Sequence, residues 1–317
     1  MLKLLITRPL PETVVDAARA RFDTTVREIT TPLTEEERIA SLTDFDVVIP
    51  TLGDLYGADI FEKVLSPRCK LLANFGVGYN HIDAAAAKTA GIAVTNTPGA
   101  VTDATADIAL MLMLLTCRRA GEGERMVRAG AWEGWHPTQL LGLHMSGKRL
   151  GIVGMGRIGQ AIGRRAHFGF GMSVQYVNRS AKSVDFPAEQ VASLTELASR
   201  VDVLVVAVPG GGETHHLIGA EVFAVMQSHA HFVNIARGDV VDEAALVSAL
   251  QTGQIAGAGL DVYEFEPKVP DALVAMENVT LLPHLGTAAL DVRTAMGMMA
   301  VDNAIAFADG KPLPNSV

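Results

Sequence analysis

Along the middle of the chain, short runs that are apolar at nearly every position alternate with stretches whose apolar residues recur at helical spacing. The runs are Arg149–Val153, Ser173–Val177, Val203–Val208, His231–Ala236, Gly257–Val262 and Val279–Leu282. The stretches between them include Gln160–His167, Leu194–Arg200, Ala220–Gln227 and Glu243–Gln251. Strands apolar on both faces and separated by helices predict a parallel sheet covered on both sides. The six strands of this set fit a doubly wound dinucleotide-binding fold.

The N-terminal part alternates in the same way but more weakly. Leu2–Ile6, Val47–Thr51, Leu71–Asn74 and Ala93–Thr95 read as strands, and Pro11–Ala20, Thr34–Leu42 and Ile82–Thr89 as helices. No phosphate-binding glycine motif lies among them, so a smaller α/β domain is expected here. Between the two parts runs Thr102–Arg119, a long helical pattern whose apolar segment Ile108–Leu115 covers most of the circumference. That pattern predicts a helix buried at a domain or subunit contact. After Leu285 the chain returns to a helix at Asp291–Ala308 and ends in a tail with Gly310, Pro312 and Pro314.

Composition narrows the class. The 317 residues suit two domains of ~100–200 residues each. Hydrophobic residues make up 49% but aromatics only 5%, so the cores must be largely aliphatic, as in packed parallel sheets. With 26 Lys+Arg against 35 Asp+Glu, the net charge of −9 gives no support to nucleic-acid binding. The longest apolar runs fall well short of the ~18 residues of a membrane span. Met1–Leu10 has no basic segment followed by a long apolar core, so no secretory signal is expected. Cys69 and Cys117 lack metal-ligand or redox spacing, and a reducing, cytoplasmic setting is the expectation.

The first candidate for chemistry is Gly154-Met-Gly156-Arg-Ile-Gly159, placed between the Arg149–Val153 strand and the next helix. A chain with 30 glycines shows such spacings by chance, and a plain glycine turn is the bland reading. The strand, the helix and the strands that follow favour a dinucleotide site, in which the helix N-terminus faces the phosphates. The carboxylate that holds the ribose 2′-OH in NAD enzymes is absent about 20 residues on, where Asn178, Arg179 and Ser180 stand. Arg179 could be an ordinary solvated side chain. The missing carboxylate favours instead a guanidinium that receives a 2′-phosphate, and so NADP(H) over NAD(H).

Three further residues follow predicted strands in succession: Arg237 after His231–Ala236, Glu266 past Gly257–Val262, and His284 after Val279–Leu282. Ligands of open α/β sheets bind outside the carboxyl ends of the strands. Reduction of a 2-oxo acid needs a guanidinium for the carboxylate and carbonyl, an imidazolium as proton donor, and a carboxylate to orient and charge the imidazole. Singly, each of these residues is more often just solvated. Glu213, His215, His216, His229 and His231 offer no convincing ligand set, and no metal is expected.

Over essentially its whole length the chain resembles the D-isomer-specific 2-hydroxyacid dehydrogenase family, most closely its glyoxylate/hydroxypyruvate reductases. The resemblance is carried by Asn74–Asp83 (NFGVGYNHID), Thr95–Gly99 (TNTPG), the Gly154–Gly159 loop, Asn234–Gly238 (NIARG), Gly259–Pro267 (GLDVYEFEP) and Leu282–Gly286 (LPHLG). It implies two Rossmann-like domains. One is a flavodoxin-like substrate domain at 1–98 plus 286–317, and the other a dinucleotide domain at 99–285 that includes a dimerisation arm. It implies Arg237, Glu266 and His284 as catalytic residues and Val77 and Gly78 as carboxylate-binding amides. It further implies that Asp261 faces the nicotinamide carboxamide and Thr105 the cofactor phosphates. Arg157, Ile158, Val208, Pro209, Ile235 and Gly286 complete the cofactor surface, and Trp135 reaches the active site of a partner subunit. A homodimer, hinging domains and a small 2-oxo acid substrate are the corresponding expectations.

The chain departs from the family pattern in two places. Gly210-Gly211-Gly212 replaces bulkier residues and is expected to leave more room beside the adenosine ribose, and the Phe168–Met172 loop is one residue longer than usual. The pocket for the substrate side chain is expected in loops such as Thr51–Tyr56. The rival activities are other branches of the family acting on phosphoglycerate, phosphite or bulkier 2-oxo acids. From another class comes a corepressor-like protein that senses the nucleotide, although no appended interaction segment is visible.

Overall fold

The computed structural model describes all of residues 1–317, which divide into two units, Met1–Val101 with Thr287–Val317, and Thr102–Gly286. In the first unit the order is β1 (Lys3–Ile6), α1 (Glu12–Arg19), β2 (Asp23–Val26), α2 (Glu35–Asp44), β3 (Val47–Ile49), α3 (Ala58–Glu62), β4 (Leu71–Ala73), α4 (Ala84–Thr89) and β5 (Ala93–Thr95). The strands are all parallel, in the order β2-β1-β3-β4-β5, which is the flavodoxin-like arrangement. Alternation along each strand covers both faces. Leu4, Ile6, Val47, Ile49, Leu71 and Ala73 pack on one side against α1 and the C-terminal helix, while Leu5, Val48 and Leu72 pack on the other with Leu42, Ile60, Phe61 and Ala87.

The second unit contains α5 (Thr102–Cys117), α6 (Ala120–Arg128), β6 (Arg149–Val153), α7 (Arg157–Phe170), β7 (Ser173–Val177), β8 (Ala188–Gln190), α8 (Leu194–Arg200), β9 (Val203–Val206), α9 (Ala220–Val225), β10 (His231–Asn234), α10 (Glu243–Gln251), β11 (Gly257–Leu260), α11 (Asp271–Val274) and β12 (Val279–Leu281). The chain then returns to the first unit as α12 (Leu290–Ala308). All seven strands are parallel, in the order β12-β11-β10-β9-β6-β7-β8. This is the doubly wound dinucleotide-binding order extended by one strand. The order reverses between β6 and β9, and that reversal is where such sheets bind ligands.

The edge strands β2 and β8 escaped the hydrophobic pattern because each is half exposed, and neither shows an unbroken apolar run. Several predicted runs also continue past the strand ends: Val208, Ala236 and Val262 lie in the turns that follow β9, β10 and β11. Helix α5 packs within its own unit on α7 and on β10, β11 and β12, and its Leu112 fills the space left open by Gly259, while Ile108, Met111 and Leu115 are half-buried and Leu114 is exposed. Further on, Val127, Trp132, Trp135 and Leu141 are also exposed. No helix is long and apolar enough to cross a membrane. Cys69 and Cys117 are free and buried, and burial pushes both thiols up to about 12, which leaves them unreactive.

Candidate active site

Three neighbouring strands of the second unit end in turns that carry Arg237, Glu266 and His284. The turn after β10 is clamped by the Asn234 side chain. Its Oδ1 accepts the Ala236 N–H at 3.0 Å and its Nδ2 donates to the Arg237 carbonyl at 2.9 Å. Gly238 follows, and a Cβ there would sit inside the Tyr263 carbonyl group. Only glycine lets the β10 and β11 turns approach this closely. The turn after β11 is pinned in the same manner, with the Tyr263 N–H donating to Glu266 Oε1 at 3.0 Å and the Tyr263 hydroxyl to the Leu282 carbonyl at 2.9 Å.

His284 has a left-handed backbone, φ +55°, uncommon for a residue other than glycine and often found where a site needs a side chain in one place. Its N–H donates to the Asp261 carbonyl at 2.9 Å. The Asp261 carboxylate accepts the next two amides, Leu285 at 2.6 Å and Gly286 at 2.8 Å. Asp261 is 1% exposed, and burial raises its pKa against the lowering effect of those amides and of His284. It therefore holds the turn that presents His284. A carboxamide would reach only the lone pairs that remain on its oxygens. Thr105 is also buried here, its hydroxyl donating to the Gly286 carbonyl at 3.2 Å.

His284 Nδ1 lies 2.9 Å from Glu266 Oε2, with the two side chains 30% and 28% exposed. Burial disfavours the Glu266 carboxylate, but the hydrogen bond and charge of His284, the Tyr263 N–H and the Arg237 guanidinium outweigh it and hold its pKa below the ordinary value. A carboxylate at Nδ1 puts a ring N–H there, so a second proton on the imidazolium sits on Nε2, which has no hydrogen bond within the protein. Burial lowers the Arg237 pKa, while Glu266 and Asp239 favour its charged form. The trio combines a fixed cation with a carboxylate-oriented acid whose proton-bearing atom is free.

The glycine loop fits a dinucleotide. Space is open where a Cβ of Gly156 would point, while Gly159 lies so close to the Gly154 carbonyl that no side chain fits between helix and strand. Arg157 and Ile158 open α7, the helix whose N-terminus faces the loop. Ile235 is in the core behind the sheet edge, and Val208 lies against Gly154. The longer Phe168–Met172 segment is absorbed by the last turn of α7 and its left-handed Gly171, so β7 starts at Ser173 and Asn178 follows it directly. Asn178 Oδ1 accepts the Met155 N–H at 3.2 Å, which places this residue on the loop. Ser180 follows, its carbonyl accepting from Asn178 Nδ2 at 2.8 Å.

Two expectations change here. Arg179 is not a free guanidinium: it is 88% exposed and paired with Glu213 at 3.1 Å. The room expected from the three glycines is at Gly212, which has nothing within reach of a Cβ, whereas the space beside Gly210 is filled by the Arg237 side chain. The third group beside the His215 and His216 rings is Glu264, which meets His216 Nε2 at 2.8 Å, and not Glu213.

In the first unit, three carbonyls of the loop after β4 are tied back. Asn74 Nδ2 donates to Gly76 and Gly78, at 3.0 and 3.1 Å, and Asn96 Nδ2 donates to Val77 at 2.9 Å. The Val77 and Gly78 N–H groups donate to no protein acceptor, which leaves two successive amides unpaired. Beside it, bridged from Thr51 to Phe75, runs the Thr51–Tyr56 loop. Its keystone is the buried Asp54, whose carboxylate accepts from Thr7 Oγ1, the Thr51 N–H, the Leu33 N–H and Arg8. Asp54, Asn234 and Tyr263 were missed as functional positions. The available signal was a polar residue set in or just after an apolar run. Trp135 is 80% exposed in the single chain.

The pattern of the family described as D-isomer specific 2-hydroxyacid dehydrogenase, NAD binding domain, matches residues 110–286. The glyoxylate reductase of Thermococcus onnurineus is 42% identical over 322 residues, covering 99% of this chain and 95% of that protein. Among solved structures, the NADPH-dependent glyoxylate/hydroxypyruvate reductase of Sinorhizobium meliloti in complex with citrate superposes with a TM-score of 0.87 at 35% identity, covering 100% of this chain and 98% of that one. The D-mandelate dehydrogenase of Rhodotorula graminis does so with a TM-score of 0.86 at 31% identity, covering 100% and 97%.

Proposed function

Given that the chain belongs to the D-isomer specific 2-hydroxyacid dehydrogenase family and is an NAD(P)-dependent oxidoreductase reducing a 2-oxo acid, we propose that its substrate is small, of the glyoxylate or hydroxypyruvate type, and that its preferred cofactor is NADPH. The observation that carries the proposed mechanism is the imidazole of His284, held at Nδ1 by Glu266 and free at Nε2. A bound nicotinamide supplies the hydride. The protein's own part is to hold the 2-oxo acid, polarise its carbonyl and provide the proton.

Arg237 draws electron density toward the carbonyl oxygen and binds the carboxylate, an assignment suited to a half-buried, permanently charged fork. His284 Nε2–H protonates the oxygen as it becomes an alkoxide, and Glu266 steadies the imidazolium before transfer. The Val77 and Gly78 amides are the proposed anchor for the substrate carboxylate. The NADPH preference rests on Arg179 and on the amide of Asn178, which stands where NAD enzymes carry a carboxylate. A panel of 2-oxo acids assayed with both cofactors tests the reading. The highest kcat/KM on glyoxylate or hydroxypyruvate with NADPH is expected. Turnover confined to bulky acids, or binding of NADPH without turnover, overturns it. Bulky acids are the second reading, favoured by the likeness to a D-mandelate dehydrogenase.

A further inference from the structure

The adenosine end of the cofactor site is flanked by two loops that meet across the glycine loop. Strand β6 lies between β7 and β9 in the sheet, so the Asn178–Ser180 turn leaves on one side of its carboxyl end and the Val208–Thr214 loop on the other. Arg179 Nη1 and Glu213 Oε2 join the two loops at 3.1 Å. The Glu213 backbone is held by a single tight turn. Thr214 donates its N–H to the Gly211 carbonyl at 3.0 Å and its hydroxyl to Pro209 at 2.8 Å, and Gly211 sits at φ +131°, open to glycine alone among common residues. The residue paired with Arg179 is therefore a carboxylate from the opposite loop.

We infer that Glu213 is a second cofactor-selecting residue, acting against Arg179: its carboxylate accepts the ribose 2′-OH of NADH and repels the 2′-phosphate of NADPH. The inference rests on the reading of Arg179 as the phosphate-binding group and extends it. An NADPH 2′-phosphate takes the guanidinium from Glu213 and leaves that carboxylate facing a like charge. An NADH ribose leaves the ion pair intact and offers a hydroxyl to an acceptor already in place. The two residues together make a site that takes both cofactors, and Glu213 narrows the preference that Arg179 creates.

Both side chains are largely exposed, and an exposed charge contact is worth up to about fivefold in an equilibrium constant. Glu213→Gln should therefore tighten NADPH binding about threefold and weaken NADH binding about threefold. The dissociation constants of the full-length protein are measured by cofactor fluorescence for wild type, Glu213→Gln, Arg179→Ala and the double variant, at low and high salt. Opposite shifts for the two cofactors, shrinking at high salt, support the inference. Equal shifts, or none, in Glu213→Gln overturn it whatever Arg179→Ala does. Unchanged NADPH binding in Arg179→Ala overturns the cofactor reading of that residue, and is scored separately from the Glu213 result.

Discussion

Replacing Glu266 with Gln removes one charge 2.9 Å from His284 Nδ1 while keeping a side chain of the same length. The Gln Oε1 can still accept the Tyr263 N–H, so the turn after β11 should hold its shape. What is lost is the anion that favours the imidazolium. Wild-type Glu266 is held below its ordinary pKa, so it is ionised across the working range and its own titration does not enter. In profiles of kcat/KM against pH for 2-oxo acid reduction at saturating NADPH, the alkaline limb of Glu266→Gln should fall at a lower pH than in wild type. Under acid conditions, where the imidazolium survives without help, the variant should recover most of its rate. The sign follows from the pair: less anion, less imidazolium at a given pH, less acid catalyst. An alkaline limb that does not move would refute the assignment of Glu266 as the partner that charges His284.

His284→Ala should lose ~10²–10⁴ of kcat with the NADPH dissociation constant unchanged, and Arg237→Ala should lower kcat/KM by more, since it serves binding and polarisation together. Steady-state rates and cofactor titrations check both. Gly238→Ala should cost about 1–3 kcal/mol of stability and more than tenfold in kcat, because the β10 and β11 turns must part; wild-type activity in that variant would sink the close-approach reading. His231, 5% exposed beside Thr116, has its pKa lowered by burial and by His229, from 6.5 to about 4. The folded protein then refuses a proton that the unfolded chain accepts, and stability worth up to about 3 kcal/mol, complete above pH 6.5, should be lost as pH falls toward 4. Thermal melts of wild type and His231→Gln over that range should show a shallower acid slope in the variant. Light scattering should give a dimer at micromolar concentration, since the large apolar side chains of Val127, Trp132, Trp135 and Leu141 all stand exposed in the single chain. A monomer would leave that surface unexplained.

The sheets were legible because parallel strands buried on both faces print an unbroken apolar run, and β6 and β7 match their predicted ends to the residue. The edge strands β2 and β8 print nothing comparable: β8 reads Ala-Glu-Gln, and only pairing with β7 makes it a strand. The catalytic candidates were legible as polar residues just past such runs. Their pinning was not. That Asp261 spends its carboxylate on two backbone amides depends on where chain segments far apart in sequence come to lie. The Arg179–Glu213 pair shows the same limit, because its members stand 34 residues apart and are joined by the order of strands in the sheet. Helix α5 shows the converse. A helix apolar around most of its surface needs partners, but the pattern cannot say whether a sheet, a second helix or another subunit provides them.

The way the three candidate turns are built bears on what can vary without loss of chemistry. Arg237, Glu266 and His284 reach the same strand ends, yet each is fixed by a different buried group: the Asn234 amide, the Tyr263 N–H and the Asp261 carbonyl. None of these anchors reads the substrate. Recognition of the substrate side chain is proposed for other loops, such as Thr51–Tyr56, where Asp54 holds the backbone while Leu52 and Leu55 stay exposed. Hydride acceptance by a carbonyl flanked by a carboxylate requires the same acid, the same cation and the same distances whatever else the acid carries. Substitutions at Leu52 or Leu55 can therefore change which 2-oxo acid is preferred at little expense to the turnover of the best one, whereas substitutions at Asn234, Tyr263 or Asp261 should lower kcat for every substrate alike. The separation of these two effects is itself a consequence of the fold, because the anchors lie in the core of one sheet edge and the selecting side chains do not.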